Sequence, residues 1–156
     1  MELREIVYYI CRIKGFSFIG KLAYLFYYRL LSLVFWLTPE IRSLYILGSM
    51  ASGDVIPGLS DMDFILVIKE MSNEEEYLFL KRLDSKIWYL MPPFGKEKIG
   101  THIFIYSREE WAIFGDLYLG KSFGSARLVF EKENITLKGK YTQFIKGLNQ
   151  FYKGQY

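Results

Sequence analysis

The sequence is poor in the residues that build disulfides and zinc sites. It has one cysteine, Cys11, and one histidine, His102, in 156 residues. A single cysteine cannot form an internal disulfide, and no cysteine and histidine have the spacing of a zinc ligand set. Because nothing here requires an oxidising compartment, the cytoplasm is the expected location.

A strong charge of one sign is also missing. The formal net charge is +3 and the sequence pI is about 8.8. No long cluster of lysine and arginine is present, as a protein that binds duplex DNA would have, so nucleic acid is not indicated as a partner. The first residues include Glu2, Arg4 and Glu5, whereas a signal peptide begins with a basic tip and a clean apolar stretch.

Aromatic residues, in contrast, are abundant. They make up 19% of the chain, with 13 Phe, 13 Tyr and 3 Trp. One core of this size does not readily hide so many rings, so we expect an aromatic surface that meets a partner, a membrane or a missing segment. We predict one domain over residues 1–156, with an N-terminal helical segment at 1–38 and a core at about 42–120.

Helical periodicity dominates the first part of the chain. Apolar residues recur at helical spacing over Glu2–Lys14 and again over Phe16–Leu37, and Pro39 ends the second stretch. The second stretch approaches the roughly 20 apolar residues of a membrane span, but Lys21 and Arg29 lie inside it. We therefore expect a helix that is buried or docks against protein, in preference to one at a membrane surface or across the membrane.

The rest of the chain alternates between strand and helix patterns. The patterns predict strands at Leu44–Leu47, Met62–Ile68 and Thr101–Tyr106, and helices from Ser72 to Leu90, from Ser107 to about Leu119, and over Tyr141–Tyr152. This order predicts an α+β fold: a small mixed sheet of three to five strands with helices against one face and two extra N-terminal helices.

Two acids, Asp61 and Asp63, lie two residues apart at the start of the second strand. Side chains at this spacing on a strand point to the same face. Two like charges beside an apolar run are costly unless a cation lies between them, and a divalent metal is the usual solution. The pair is therefore a predicted metal site. Gly48 ends the preceding strand.

This order of features resembles the nucleotidyltransferase superfamily typified by DNA polymerase beta. In that family a hydrophobic residue and Gly-Ser precede, by roughly ten residues, a strand that carries Asp-hydrophobic-Asp. Here Leu47-Gly48-Ser49 and Asp61-Met62-Asp63 match the pattern. The resemblance covers about residues 42–106.

The resemblance implies an activity and a set of site residues. The reaction would move a nucleoside monophosphate from a nucleoside triphosphate to a hydroxyl acceptor. Asp61 and Asp63 would hold two Mg²⁺ ions that clamp the attacking and leaving oxygens. Gly48, Ser49 and Ser60 would bind the nucleotide.

The family usually has a third carboxylate on a later strand, and Thr101–Tyr106 contains none. By alternation His102 occupies roughly the missing position, although magnesium prefers oxygen ligands. Three explanations stay open. His102 acts as the base that takes the acceptor's proton; or it has no special role while Asp54 or Asp116 approaches the metals; or the site is degenerate and binds nucleotide without efficient transfer. Arg127 is a further candidate for a phosphate contact.

The alternative function is an interaction or regulatory module, similar to antitoxin-like members of the superfamily that pair with a helical protein. The missing third acid and the aromatic helices favour this alternative. The aromatic helices Phe16–Leu37 and Tyr141–Tyr152 would then dock a helical partner or form a homodimer.

Overall fold

The computed structural model describes residues 9–13, 16–57, 60–90, 101–119 and 126–137. Of the predicted helix Glu2–Lys14, residues 9–12 are helical, Ile13 forms a bend, and the others lie outside the described residues. The predicted helix Tyr141–Tyr152 also lies outside them.

The described chain contains helices and strands in alternation. In order they are α1 (Phe16–Leu37), β1 (Ile41–Ile46), α2 (Gly48–Ser52), β2 (Met62–Ile68), α3 (Asn73–Leu90), β3 (Thr101–Ser107), α4 (Arg108–Leu119) and β4 (Arg127–Glu131). The predicted α1, β2, α3, β3 and α4 agree within a residue or so. β1 begins three residues before the predicted strand, and β4 was not predicted.

Local sequence signals set several of these boundaries. α1 stops at Thr38, whose hydroxyl donates to the Val34 carbonyl at 2.8 Å, because Pro39 disfavours helical angles in the residue before it. α3 and α4 each begin with a capping box, in which a serine and a glutamate three residues later satisfy each other's amides. The Ser72 amide donates to Glu75 at 2.9 Å and the Ser107 amide to Glu110 at 2.8 Å.

The four strands of the described chain form one mixed sheet in the order β3-β2-β1-β4. β1 is antiparallel to β2 and to β4, whereas β2 and β3 are parallel. Parallel neighbours need a long crossover, and α3 lies in the connection between them. The mixed sheet packed with helices confirms the predicted fold class.

Helices cover both faces of the sheet, so the expectation of helices against one face is wrong. Phe64 and Leu66 of β2 point towards α1 and α3, where they pack with Phe35 and Phe79. Ile65 and the other alternate residues of β2 point to the opposite face, where Trp111 of α4 covers them. The reason is that α4 follows β3 directly and packs on the second face. Helical periodicity predicts that α4 is a helix but not which face of the sheet it covers.

α1 buries only one of its faces. Tyr24, Tyr28, Leu31 and Phe35 are its buried residues, and they pack against the sheet. Within the described part of the chain, α1 is the one helix whose length and apolar composition would suffice to cross a membrane, and 22% of that stretch is buried inside the structure.

Candidate functional site

The end of β1 brings a glycine against the start of β2. The amide of Leu47 donates to the carbonyl of Asp63 at 3.0 Å, so the chain leaves β1 directly beside that residue. Gly48 follows with a φ of 59°, in the left-handed region that favours glycine. A Cβ built on Gly48 would lie 3.5 Å from Oδ2 of Asp63. Gly48 therefore lies beside the carboxylate of Asp63.

Ser49 lies in the first turn of α2 and is half-buried. Its carbonyl accepts the amide of Gly53 at 2.9 Å and the hydroxyl of Ser52 at 3.3 Å, which closes the short helix. Within the described residues the Ser49 hydroxyl makes no hydrogen bond of its own. It is therefore available to a ligand, as the predicted nucleotide contact requires.

The loop between α2 and β2 is held by Ser60 and by α1. The Ile56 amide donates to Oγ of Ser60 and the Ser60 amide donates to the Ile56 carbonyl, both at 2.8 Å. The Tyr24 hydroxyl of α1 donates to the Ser60 carbonyl at 3.2 Å. Ser60 thus closes the loop that leads into Asp61, and its predicted contact with nucleotide stays a prediction.

A glycine lets α1 come close to the same loop. A Cβ on Gly20 would lie 2.7 Å from Cβ of Pro57 and 2.6 Å from Sγ of Cys11, so only glycine fits there without displacement. Gly58, the second residue of the predicted Pro57-Gly58 turn, lies outside the described residues. Asp54 is exposed in this loop, and its amide donates weakly to Ser52 at 3.4 Å.

The burial of Met62 fixes the direction of its neighbours. Met62 is 2% exposed in the core between the sheet and α1, so Asp63, the next residue of β2, points to the opposite face. Asp61 is half-buried and immediately precedes the first residue of β2. Its convergence with Asp63 on one metal site stays a prediction.

His102 lies directly beside Asp63. The two residues are register partners in the parallel pair of β2 and β3, and Nδ1 of His102 is 2.9 Å from Oδ1 of Asp63. A carboxylate oxygen can only accept, so Nδ1 donates and the lone pair of a neutral ring lies on Nε2. The imidazole is 61% exposed. His102 therefore lies on the face that alternation predicts and is adjacent to Asp63, and its role stays a prediction.

The fit of this site to magnesium is partial. The described residues contain no group of three or more His, Cys, Asp or Glu side chains that could hold a metal ion. Magnesium is commonly bound by one or two carboxylates together with substrate phosphates, and Asp61 and Asp63 could supply that much. A second ion would need further oxygen donors. The side chain of Asp116, one candidate, lies outside the described residues.

Apolar packing under the site keeps Asp63 in place. Ile65 and Val67 continue the Asp63 face of β2 and are fully buried beneath Trp111. The Tyr45 ring packs against Trp111 with ring centroids 4.7 Å apart, and burial raises the pKa of the Tyr45 hydroxyl. The polar pair of Asp63 and His102 therefore lies at the end of a buried apolar layer.

β4 places one more charged residue at this end of the sheet. Arg127 is exposed and is the register partner of Ile46, the last residue of β1. It therefore lies close along the sheet to Gly48. The apolar run Leu128-Val129-Phe130 was the only sequence signal for this strand, and it is too short to stand out by periodicity.

One comparison with known families finds a match. A family model described as a nucleotidyltransferase domain matches residues 30–111, which is just over half of the chain. The match runs from the second half of α1 to the start of α4 and includes Gly48, Ser49, Asp61, Asp63 and His102. No curated protein matches the chain.

Proposed function

The chain belongs to the nucleotidyltransferase domain family, and on that premise we propose that it transfers a nucleoside monophosphate from a nucleoside triphosphate to a hydroxyl acceptor, with magnesium. The observation that carries the proposal is the position of Asp63. One of its oxygens faces Gly48 and the other accepts a hydrogen bond from His102. Asp63 therefore lies between Gly48, where a phosphate would bind, and His102, which would accept a proton.

The triphosphate would bind against Gly48 and Ser49. Gly48 has no Cβ to keep a phosphate oxygen away from its backbone. The Ser49 hydroxyl is available to donate to such an oxygen. Magnesium, held by Asp61 and Asp63 together with phosphate oxygens, would supply positive charge against the negative charge that accumulates during transfer.

The transfer itself is a substitution at phosphorus. The acceptor oxygen forms a bond to the α-phosphorus, the bond from that phosphorus to the bridging oxygen breaks, and pyrophosphate leaves. The acceptor's proton passes to Nε2 of His102, which acts as general base. Asp63 holds the other ring nitrogen at 2.9 Å and stabilises the imidazolium that forms. On β3, which carries no carboxylate, His102 would then supply the proton acceptor.

Titration calorimetry with a nonhydrolysable nucleoside triphosphate tests the binding step. We expect heat in the presence of magnesium, little heat with a chelator, and loss of the magnesium-dependent part in Asp61→Asn and Asp63→Asn. Asp84→Asn, the same substitution at an exposed position on α3, is the matched control and should bind as the parent protein does.

Pyrophosphate release with hydrolysable triphosphates then tests the transfer step. Activity that persists in Asp63→Asn would refute the assigned role of this carboxylate. Absence of any magnesium-dependent nucleotide binding in the parent protein would refute the proposed enzyme and leave the interaction module as the better explanation.

A further inference from the structure

The outward side of α1 is an exposed apolar surface. We call it the outer face and define it by Phe18, Leu22, Leu25, Phe26, Leu33 and Trp36, which are between 47% and 67% exposed. The opposite side of the helix carries the buried residues that pack on the sheet. Contiguous apolar surface of this kind marks a place where a soluble domain meets a partner or a membrane.

The charges of the chain are distributed unevenly around this surface. Residues 6–39 contain four cations, Arg12, Lys14, Lys21 and Arg29, and no carboxylate. Residues 134–156 contain four lysines and no carboxylate, whereas residues 40–133 contain 15 carboxylates and 11 cations. The overall charge of +3 hides this asymmetry. The outer face therefore belongs to a segment, residues 6–39, whose charged side chains are all cations. A binding partner that matches both features has an anionic surface above an apolar interior.

We propose that the outer face of α1 lies on the surface of a membrane that contains anionic lipids. The rings and leucines would enter the boundary between headgroups and acyl chains, as amphipathic interfacial helices do. Lys21 and Arg29 would reach the headgroup phosphates along their flexible stems. Arg29 is exposed, and its guanidinium lies 5.7 Å from the centroid of the Tyr28 ring.

Charge argues against the other occupants. A two-fold contact between the outer faces of two copies would bring four cations, Lys21 and Arg29 of each copy, into one interface without a carboxylate from α1. The chain's own residues 138–156 carry only positive charge, so they would meet α1 with like charge. A protein partner would need carboxylates placed opposite these cations, whereas an anionic membrane presents phosphates at every position.

Packing argues against a membrane crossing by α1. The inner side of α1 is fixed to the domain by Tyr28, Leu31 and Phe35 in the core and by the hydrogen bond from Tyr24 to Ser60. A helix in the hydrocarbon layer would lose these contacts. A helix lying flat on the surface keeps them and buries only the outer face.

Flotation of the protein, as residues 1–156, with lipid vesicles tests the proposal. We expect the protein to float with vesicles of phosphatidylcholine and phosphatidylglycerol and to stay behind with phosphatidylcholine alone. The double variant Leu22→Gln with Leu33→Gln should bind about tenfold more weakly or worse, since each leucine loses its burial in lipid. Leu78→Gln is the matched control, because Leu78 on α3 is 51% exposed, as Leu33 is, but lies outside the outer face.

Two further measurements separate the charge and the depth of binding. Each of Lys21→Gln and Arg29→Gln should weaken binding to the anionic vesicles about fivefold. Brominated lipid should quench the fluorescence of the parent protein more than that of Trp36→Phe, because Trp36 is 53% exposed on the outer face. The difference reports Trp36 alone, since Trp88 and Trp111 are present in both proteins. Thermal unfolding of every variant should match the parent protein, since these side chains are on the surface.

Several results would overturn the proposal. Flotation with neither vesicle, or equally with both, would contradict an anionic membrane as the occupant. A dimer in light scattering that disappears in the Leu22 and Leu33 double variant would make the outer face an interface between two copies. Binding that depends equally on Leu78 would mean that apolar exposure in general, and not this surface, drives it.

Discussion

The two faces of β2 meet different surroundings. On one face Met62, Phe64, Leu66 and Ile68 are all at most 2% exposed and pack against α1 and α3. On the other face Ile65 and Val67 are equally buried beneath α4, but Asp63 at the end of that row is half-buried and hydrogen-bonded to His102. Adjacent residues of one strand therefore differ sharply in burial and in the chemistry they can perform.

The difference shows how a small domain holds a polar site without losing its core. Successive side chains of a strand point to opposite faces, so the polar group of Asp63 interrupts only one face of β2. The other face is apolar from Met62 to Ile68. The charged end of the Asp63 face stays at the edge of the apolar layer, where water and ligands reach it. Stability and chemistry should then be separable by substitution at neighbouring positions.

The largest expected effect is on the buried face. Phe64→Ala removes a ring that stacks on Tyr28 at 6.5 Å and meets Phe35 edge-on at 5.6 Å between ring centroids. We expect the free energy of unfolding to fall by about 3–5 kcal/mol, since a large side chain leaves a cavity. Chemical denaturation followed by circular dichroism measures this change.

A milder variant protects this prediction if Phe64→Ala does not fold. Phe64→Leu keeps most of the volume and should cost about 1 kcal/mol. Nucleotide binding per folded molecule should be unchanged in it. A folded Phe64→Leu that no longer binds nucleotide would show that the two faces of β2 are not separable.

The next effect is on the polar end of the other face. His102→Gln replaces the imidazole by an amide that can still donate to Oδ1 of Asp63 but cannot accept the acceptor's proton. We expect the rate of pyrophosphate release to fall about 100-fold, the lower end of what a general base contributes. The free energy of unfolding should change by less than about 0.5 kcal/mol, because the side chain is mostly exposed.

The choice of glutamine decides between two roles of His102. If His102 only positions Asp63, His102→Gln keeps that hydrogen bond and the activity with it, whereas His102→Ala loses both. If His102 is the general base, both variants should be slow. Magnesium-dependent nucleotide binding should nevertheless be retained in His102→Gln. Full activity in both variants would leave His102 without a catalytic role.

The neighbours of Asp63 could be predicted from sequence, whereas the pairing of the sheet could not. The resemblance to a known family placed Gly48 near Asp63, and strand alternation placed His102 on the face where a further acid was expected. The partners of β1 could not be predicted. Ser43 is fully buried although it is polar, and β4 pairs with β1 across more than 80 residues of sequence through backbone hydrogen bonds that no local pattern encodes.

The smallest predicted effect concerns the start of α3, the helix that packs on the Phe64 face of β2. Hydrogen bonds from the Ser72 amide and hydroxyl, both at 2.9 Å, lower the pKa of the Glu75 carboxyl below its ordinary value of 4.5. A lowered folded pKa means that the contribution to stability is present above the unfolded pKa and is lost as the pH falls through the folded pKa. The parent protein should therefore lose more thermal stability than Glu75→Gln between about pH 5 and pH 3.

The equivalent glutamate at the start of α4 allows the helices on the two faces of β2 to be compared. Glu110 makes the same contact with Ser107 at the start of α4, which packs beneath the site, so Glu110→Gln is the control for a capping box on that face. We expect the loss in melting temperature at neutral pH to be of similar small size in Glu75→Gln and Glu110→Gln, since capping is a local backbone interaction. A much larger loss in Glu110→Gln, together with weaker nucleotide binding, would show that the position of α4 sets the geometry of Asp63 and His102, and that the two faces of β2 are coupled through their helices.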